Sequence, residues 1–128
     1  MAVPNGNESA RAFLPAKDFA VSRAFYEALG FPKLFDGDVV IFEVGPGAFI
    51  LQNHYHPAWG SNCMMQLMVD DLDAWWAHID ALDLPAKYEV KPPAPPAVQP
   101  WGLRVAYLFD PAGVLWHVAE RQEDTPDD

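Results

Sequence analysis

Four histidines, one cysteine, a group of aromatic rings and a few arginines carry the chemistry open to this 128-residue chain. His54 and His56 are two residues apart. In an extended segment that spacing turns both imidazoles to one side, where with His117 they could ligate a metal. The plainer reading is two exposed loop side chains beside Tyr55 and Pro57, since patterns this short often arise by chance. His117 alone is a residue type suited to acid–base work. His78 falls on a helix and reads as surface or packing. Cys63 has no sequence context of a nucleophile, and no Gly-rich phosphate cradle is present. The rings of Phe42, Phe49, Tyr55, Trp59, Trp101, Tyr107 and Trp116 could stack on a flat ligand and face a cation. Trp59 and Trp101 are the best placed of these, because they sit in loops rather than on a helical stripe. Arg104 shares one face of an alternating strand with Ala106 and Leu108. Turned inward, it would favour an anionic ligand.

Charge narrows the partners. Eight basic against 18 acidic side chains give a net charge of −10. Nucleic-acid binding needs Lys and Arg against phosphates, so that class is disfavoured, whereas a cationic small molecule would be drawn in. Glu120, Glu123, Asp124, Asp127 and Asp128 gather in or near a polar C-terminal tail. A single cysteine cannot form an internal disulfide, which fits a reducing compartment. Residues 1–9 show no apolar signal-peptide core. No run approaches the roughly 18–20 apolar residues of a membrane span. The expectation is a cytoplasmic protein with no membrane and no nucleic-acid partner.

The elements that must position these groups occur twice. Leu14, Asp18, Ala24, Ala28, Leu29 and Pro32 recur 53 positions on as Leu67, Asp71, Ala77, Ala81, Leu82 and Pro85. Each copy runs from an apolar strand into a capping Asp and then a helix. The spacing predicts helices over 19–29 and 72–82, with Asp18 and Asp71 as N-caps and Gly30 closing the first. Gly and Pro punctuate strands at 33–35, 39–44 and 48–53, after a first strand at 11–16. The second half predicts strands at 64–69, 86–90, 103–109 and 114–119. Residues 92–100 read as a Pro-rich rim loop, less plausibly as a polyproline ligand. Asp110-Pro111-Ala112-Gly113 is turn chemistry. The result is an α+β domain over 10–120 built from two βαβββ modules, at about 10–53 and 63–120. Curved mixed sheets surround a cavity with helices outside, and residues 1–9 and 121–128 are flexible ends.

This pattern resembles the vicinal oxygen chelate superfamily of glyoxalase I, extradiol dioxygenases and bleomycin-resistance proteins. The phrases that carry the likeness are Leu14-Pro15-Ala16-Lys17-Asp18-Phe19, Ala24-Phe25-Tyr26-Glu27-Ala28-Leu29-Gly30-Phe31, Trp101-Gly102 and Asp110-Pro111-Ala112-Gly113. The opening phrase and Asp70-Asp71-Leu72 lie nearest the bleomycin-resistance branch. The resemblance implies a four-position metal site, which alignment puts at Arg11, Gln52, Met64 and His117. Arg has no lone pair to offer, and a thioether suits Cu(I) rather than the metals these enzymes use. Only Gln52 and His117 could ligate, fewer than the three protein ligands a catalytic metal usually needs. The resemblance therefore implies a cofactor-free homodimer that holds a small molecule, such as a bleomycin-like antibiotic, in a crevice between modules. Arg11, Gln52, Trp59, Met64, Trp101, Arg104 and His117 are its expected contacts. The competing expectation is a lyase or dioxygenase with a metal on Gln52, His54, His56 and His117. A cofactor-free enzyme using His117 as acid and base is the third.

Overall fold

A computed structural model describes residues 4–6, 9–60 and 62–120. Most of the expected flexible ends lie outside the described residues. Module one comprises β1 (Ala12–Leu14), α1 (Phe19–Leu29), β2 (Lys33–Asp36), β3 (Val39–Val44) and β4 (Gly47–Gln52). The short α2 (Pro57–Gly60) interrupts the connection to module two. There follow β5 (Met64–Val69), α3 (Leu72–Leu82), α4 (Leu84–Tyr88), β6 (Ala94–Val98), β7 (Arg104–Phe109) and β8 (Leu115–Glu120). The sheets have matching strand orders, β1-β4-β3-β2 and β5-β8-β7-β6. In each, the first strand pairs in parallel with the last and the other pairs are antiparallel. The internal repeat is thus a repeat of topology.

Local chemistry explains the helix limits. The Asp18 carboxylate accepts from Val21 N–H at 3.3 Å, and Asp71 accepts from Ala74 N–H at 3.0 Å. Each takes up one of the backbone donors that a helix start leaves without a partner. Gly30 ends α1 in the left-handed region at φ 100°, where it has no Cβ to clash.

The segment after α3 differs from the sequence expectation. Residues 84–88 form α4 rather than part of a strand, with Pro85 in the first turn, where its missing N–H costs no helical bond. The strand falls later, inside the Pro-rich stretch, as β6. Its ladder to β7 pairs Ala94 with Tyr107 and Ala97 with Val105, with an irregularity between them. Pro95 and Pro96 occupy that irregularity at the sheet edge, where prolines, having no N–H for the ladder, are tolerated. The rim loop is therefore an edge strand.

One core serves both modules. Leu14, Phe25, Phe42, Phe49 and Leu51 from the first join Leu72, Ile79, Leu108, Trp116 and Val118 from the second in a single buried cluster. At its centre the Tyr26 hydroxyl donates to Asp110 Oδ2 at 2.6 Å and accepts from Trp116 Nε1 at 3.0 Å. Asp110 Oδ1 accepts from the N–H groups of Ala112 and Val114, so the carboxylate also shapes its own turn. Burial pushes the Asp110 carboxyl up. The Tyr26 hydroxyl and the turn's backbone donors oppose that shift. Burial, joined by the Asp110 charge, holds the Tyr26 phenol well above its ordinary value. His78 joins the two long helices, its Nε2 lying 2.8 Å from the Leu29 carbonyl oxygen. No helix among the described residues is long and apolar enough to cross a membrane.

Candidate functional site

Because the inner faces of both sheets share the core, chemistry is left to the opposite faces. On the second sheet, strand register places Gln66 and Tyr107 on either side of His117. The Tyr107 ring meets the imidazole edge to face, centroids 5.0 Å apart at 87°. Trp101 reaches the same imidazole from the loop between β6 and β7, with centroids 6.3 Å apart. A tight turn presents it: Gly102 N–H donates to the Gln99 carbonyl at 2.8 Å, with Pro100 inside the turn. Gly102 takes φ 100°, the conformation that favours glycine. The indole is 56% exposed although held against His117. Met64 lies on this face too, one ladder step from Gln66 on that side and paired with Leu115. The face is thus an aromatic platform around one imidazole, with a thioether and a carboxamide alongside.

The other expected residues fall elsewhere. Gln52 ends β4 opposite Val39, and Arg11 is exposed just before β1, so both belong to the first sheet. Phe13, Ile50, Ile41 and Phe35 align in register across that sheet's outer face. Phe13 and Phe35 there are more than half exposed. Trp59 falls in α2, and its side chain lies outside the described residues. The possibility that Arg104 faces the His117 side is corrected by the register. It stands on the opposite face with Ala106 and Leu108, where it ion-pairs with Glu120 at 2.8 Å and Asp73 at 3.1 Å. Two carboxylates on its own side hold it there.

The donor set does not fit the metal that the superfamily's enzymes use. Arg11 and Gln52 lie on one sheet, Met64 and His117 on the other. His56 Nδ1 accepts from Ala58 N–H at 3.2 Å, and the His54 carbonyl accepts from Ala16 N–H. Among the described residues, no three His, Cys, Asp or Glu side chains come together to hold an ion. Gln66 beside His117 gives two donors, short of the usual three. Gln66 is absent from the contacts expected from sequence, and Tyr107 is among the candidate rings only as one of several. The signal for both was strand alternation, which puts residues 64 and 66 on one face and residue 107 opposite 117 once β7 and β8 are in register.

Comparison with known proteins agrees with this geometry. Residues 9–118 match the profile described as the Glyoxalase/Bleomycin resistance protein/Dioxygenase superfamily. A bleomycin resistance protein from Klebsiella pneumoniae is 31% identical over 117 residues, spanning 85% of this chain and 89% of its own length. The crystal structure of a bleomycin-binding protein complexed with bleomycin superposes with a TM-score of 0.75 at 28% identity, covering 91% of this chain and 100% of that one. The bleomycin resistance determinant encoded on transposon Tn5 gives 0.74 at 26% identity, covering 91% and 99%.

Proposed function

The chain belongs to the glyoxalase/bleomycin resistance protein/dioxygenase superfamily, and on that premise we propose that it is a binding protein of the bleomycin-resistance type, sequestering a small molecule without a metal of its own. The observation that carries this reading is the ring cluster of Trp101, His117 and Tyr107 on an outer sheet face that, among the described residues, has no group of three His, Cys, Asp or Glu to hold a metal. Such a surface holds a flat ligand by stacking, and an acidic protein draws a ligand with a cationic end. Bleomycin, the ligand of the similar solved protein, is of this kind.

The platform is open on its outer side. In the proposed assembly a second copy closes it with the first-sheet face that carries Arg11, Gln52, Phe13 and Phe35. Each homodimer then holds two equivalent crevices, lined by Met64, Trp101 and His117 from one chain and Gln52 and Arg11 from its partner. Trp59 is a further contact in this reading.

Titration of the full chain with metal-free bleomycin, followed by indole fluorescence and calorimetry, tests the proposal. Saturable binding is expected. Trp101→Ala should weaken it by about ten-fold or more, the scale of losing one aromatic anchor. The reading fails if purified protein holds close to one tightly bound metal per chain and turns over a glyoxalase or dioxygenase substrate.

A further inference from the structure

At the end of the sheet that carries the Trp101 platform, a cavity of about 480 Å³ opens where the segment after β1, the connection between modules and the β7–β8 turn meet. Lys17 comes to it from module one and Lys91 from module two. We propose that this cavity is a binding site for a small organic anion, an apolar body carrying a carboxylate, sulfonate or phosphate head.

The charge pattern makes the case. In a chain of net charge −10, Arg23, Lys33 and Arg104 pair with carboxylates. Arg11 and Lys87 make no ion pair among the described residues, and neither do Lys17 and Lys91. Instead each ammonium rests over a ring, Lys17 Nζ 5.1 Å from the Tyr55 centroid and Lys91 Nζ 5.4 Å from that of Phe109. Such a contact at an exposed position contributes only about 0.5–1 kcal/mol. Charge-assisted hydrogen bonds to an anionic head are stronger, so both lysines can leave their rings for a ligand. Two carboxylates also line the cavity. Asp110 is not available to the lysines, because Tyr26 and the N–H groups of Ala112 and Val114 take up its oxygens. Glu89 is the carboxylate left without such partners, so the two ammoniums balance the formal charge of the lining in an otherwise acidic molecule.

The walls suit the rest of such a ligand. Val90, Phe109 and Leu115 give an apolar lining. Cys63 lies among them, and burial together with the Asp110 charge pushes its thiol up, so it adds no competing negative charge. The site adjoins the platform face through Met64, Phe109 and Leu115. It uses Lys17, Tyr55 and Lys91, none of which belongs to the platform, so it stands independently of the bleomycin-type reading.

The test is a matched naphthalene series (2-sulfonate, 2-methanol and 2-methylammonium) titrated into the full-length protein and followed by amide chemical shifts. The sulfonate should bind most tightly and shift Asn62, Cys63, Lys91 and Gly113. The double variant Lys17→Gln/Lys91→Gln should weaken it about five-fold or more, while Lys87→Gln leaves it unchanged. Because both lysines are exposed, unaltered melting is expected, and the wild-type order of the three probes decides even if the variant misfolds. Equal or tighter binding of the ammonium compound overturns the proposal. So do shifts gathered at Trp101 and His117, or an unchanged sulfonate affinity in the folded double variant.

Discussion

Asp110 shows how one buried side chain carries both a turn and the join between modules. Its carboxyl is pushed above the ordinary range by burial, and only in part restored by Tyr26 and the turn's backbone donors. The sign of the resulting pH dependence follows from linkage. A carboxyl whose folded value is raised holds its proton longer in the folded state. Its contribution to stability is present in full below the unfolded value, about 3.9, and is lost as pH rises through the folded value. Asp110→Asn removes this titration while keeping the shape. Urea unfolding of both proteins at several pH values should show the wild type gaining on the variant as pH falls from 7 toward 4. A flat difference, or one that widens in the opposite direction, would refute the raised carboxyl. The residue scale is also where the sequence was least informative. Asp-Pro-Ala-Gly announced a turn, yet the Tyr26–Asp110 bond spans 84 positions and has no local signal. Arg104 was ambiguous for a related reason. Alternation gives two faces, and only the neighbouring strand and Asp73 on α3 decide which of them the core claims.

The elements were far more legible, because capping and periodicity act over a few residues. Helices α1 and α3 fall where the spacing of Phe19 to Leu29 and of Leu72 to Leu82 puts them, and both Asp caps form as expected. What failed was the stretch after α3, where Pro95 and Pro96 read as breakers although an edge strand accommodates them. The repeat exposes one inherited constraint. Copy one ends its helix on Gly30, and 53 positions later copy two has Asp83, held in the same left-handed conformation at φ 52°. For an L-residue that conformation costs roughly 1–2 kcal/mol, less for Asp than for most. Asp83 makes no side-chain capping bond to α4 that would offset it. Asp83→Gly should therefore stabilise the protein by about 0.5 kcal/mol, after the greater unfolded-state freedom of glycine is subtracted. Denaturant midpoints measured with an unchanged slope would register the gain. A loss of stability would mean that Asp83 has a role beyond ending the helix.

At the scale of the whole molecule, the two modules place their inner faces together and turn their outer faces away from one another. A single chain therefore leaves the Trp101 platform and the Phe13–Phe35 row facing solvent. Phe13 is 58% exposed and Phe35 52%, in a row that continues through Ile50 and Ile41 across the first sheet. A contiguous apolar strip of this kind marks an interaction surface more often than an idle one. If a second copy covers it, one substitution should disturb association and ligand binding together without unfolding the chain. Phe13→Asp places a charge in the strip, and because the wild-type ring contributes little to the core, the circular dichroism spectrum should remain native. Sedimentation should show the wild type at twice the chain mass and the variant shifted toward monomer. Bleomycin affinity should fall in the same variant although Phe13 lies on the other sheet from His117. A wild type that stays monomeric across the micromolar range would separate the two faces and leave the platform to work alone. A dimeric variant with weakened binding would instead make Phe13 a direct ligand contact. Only joint loss supports a crevice built from two copies.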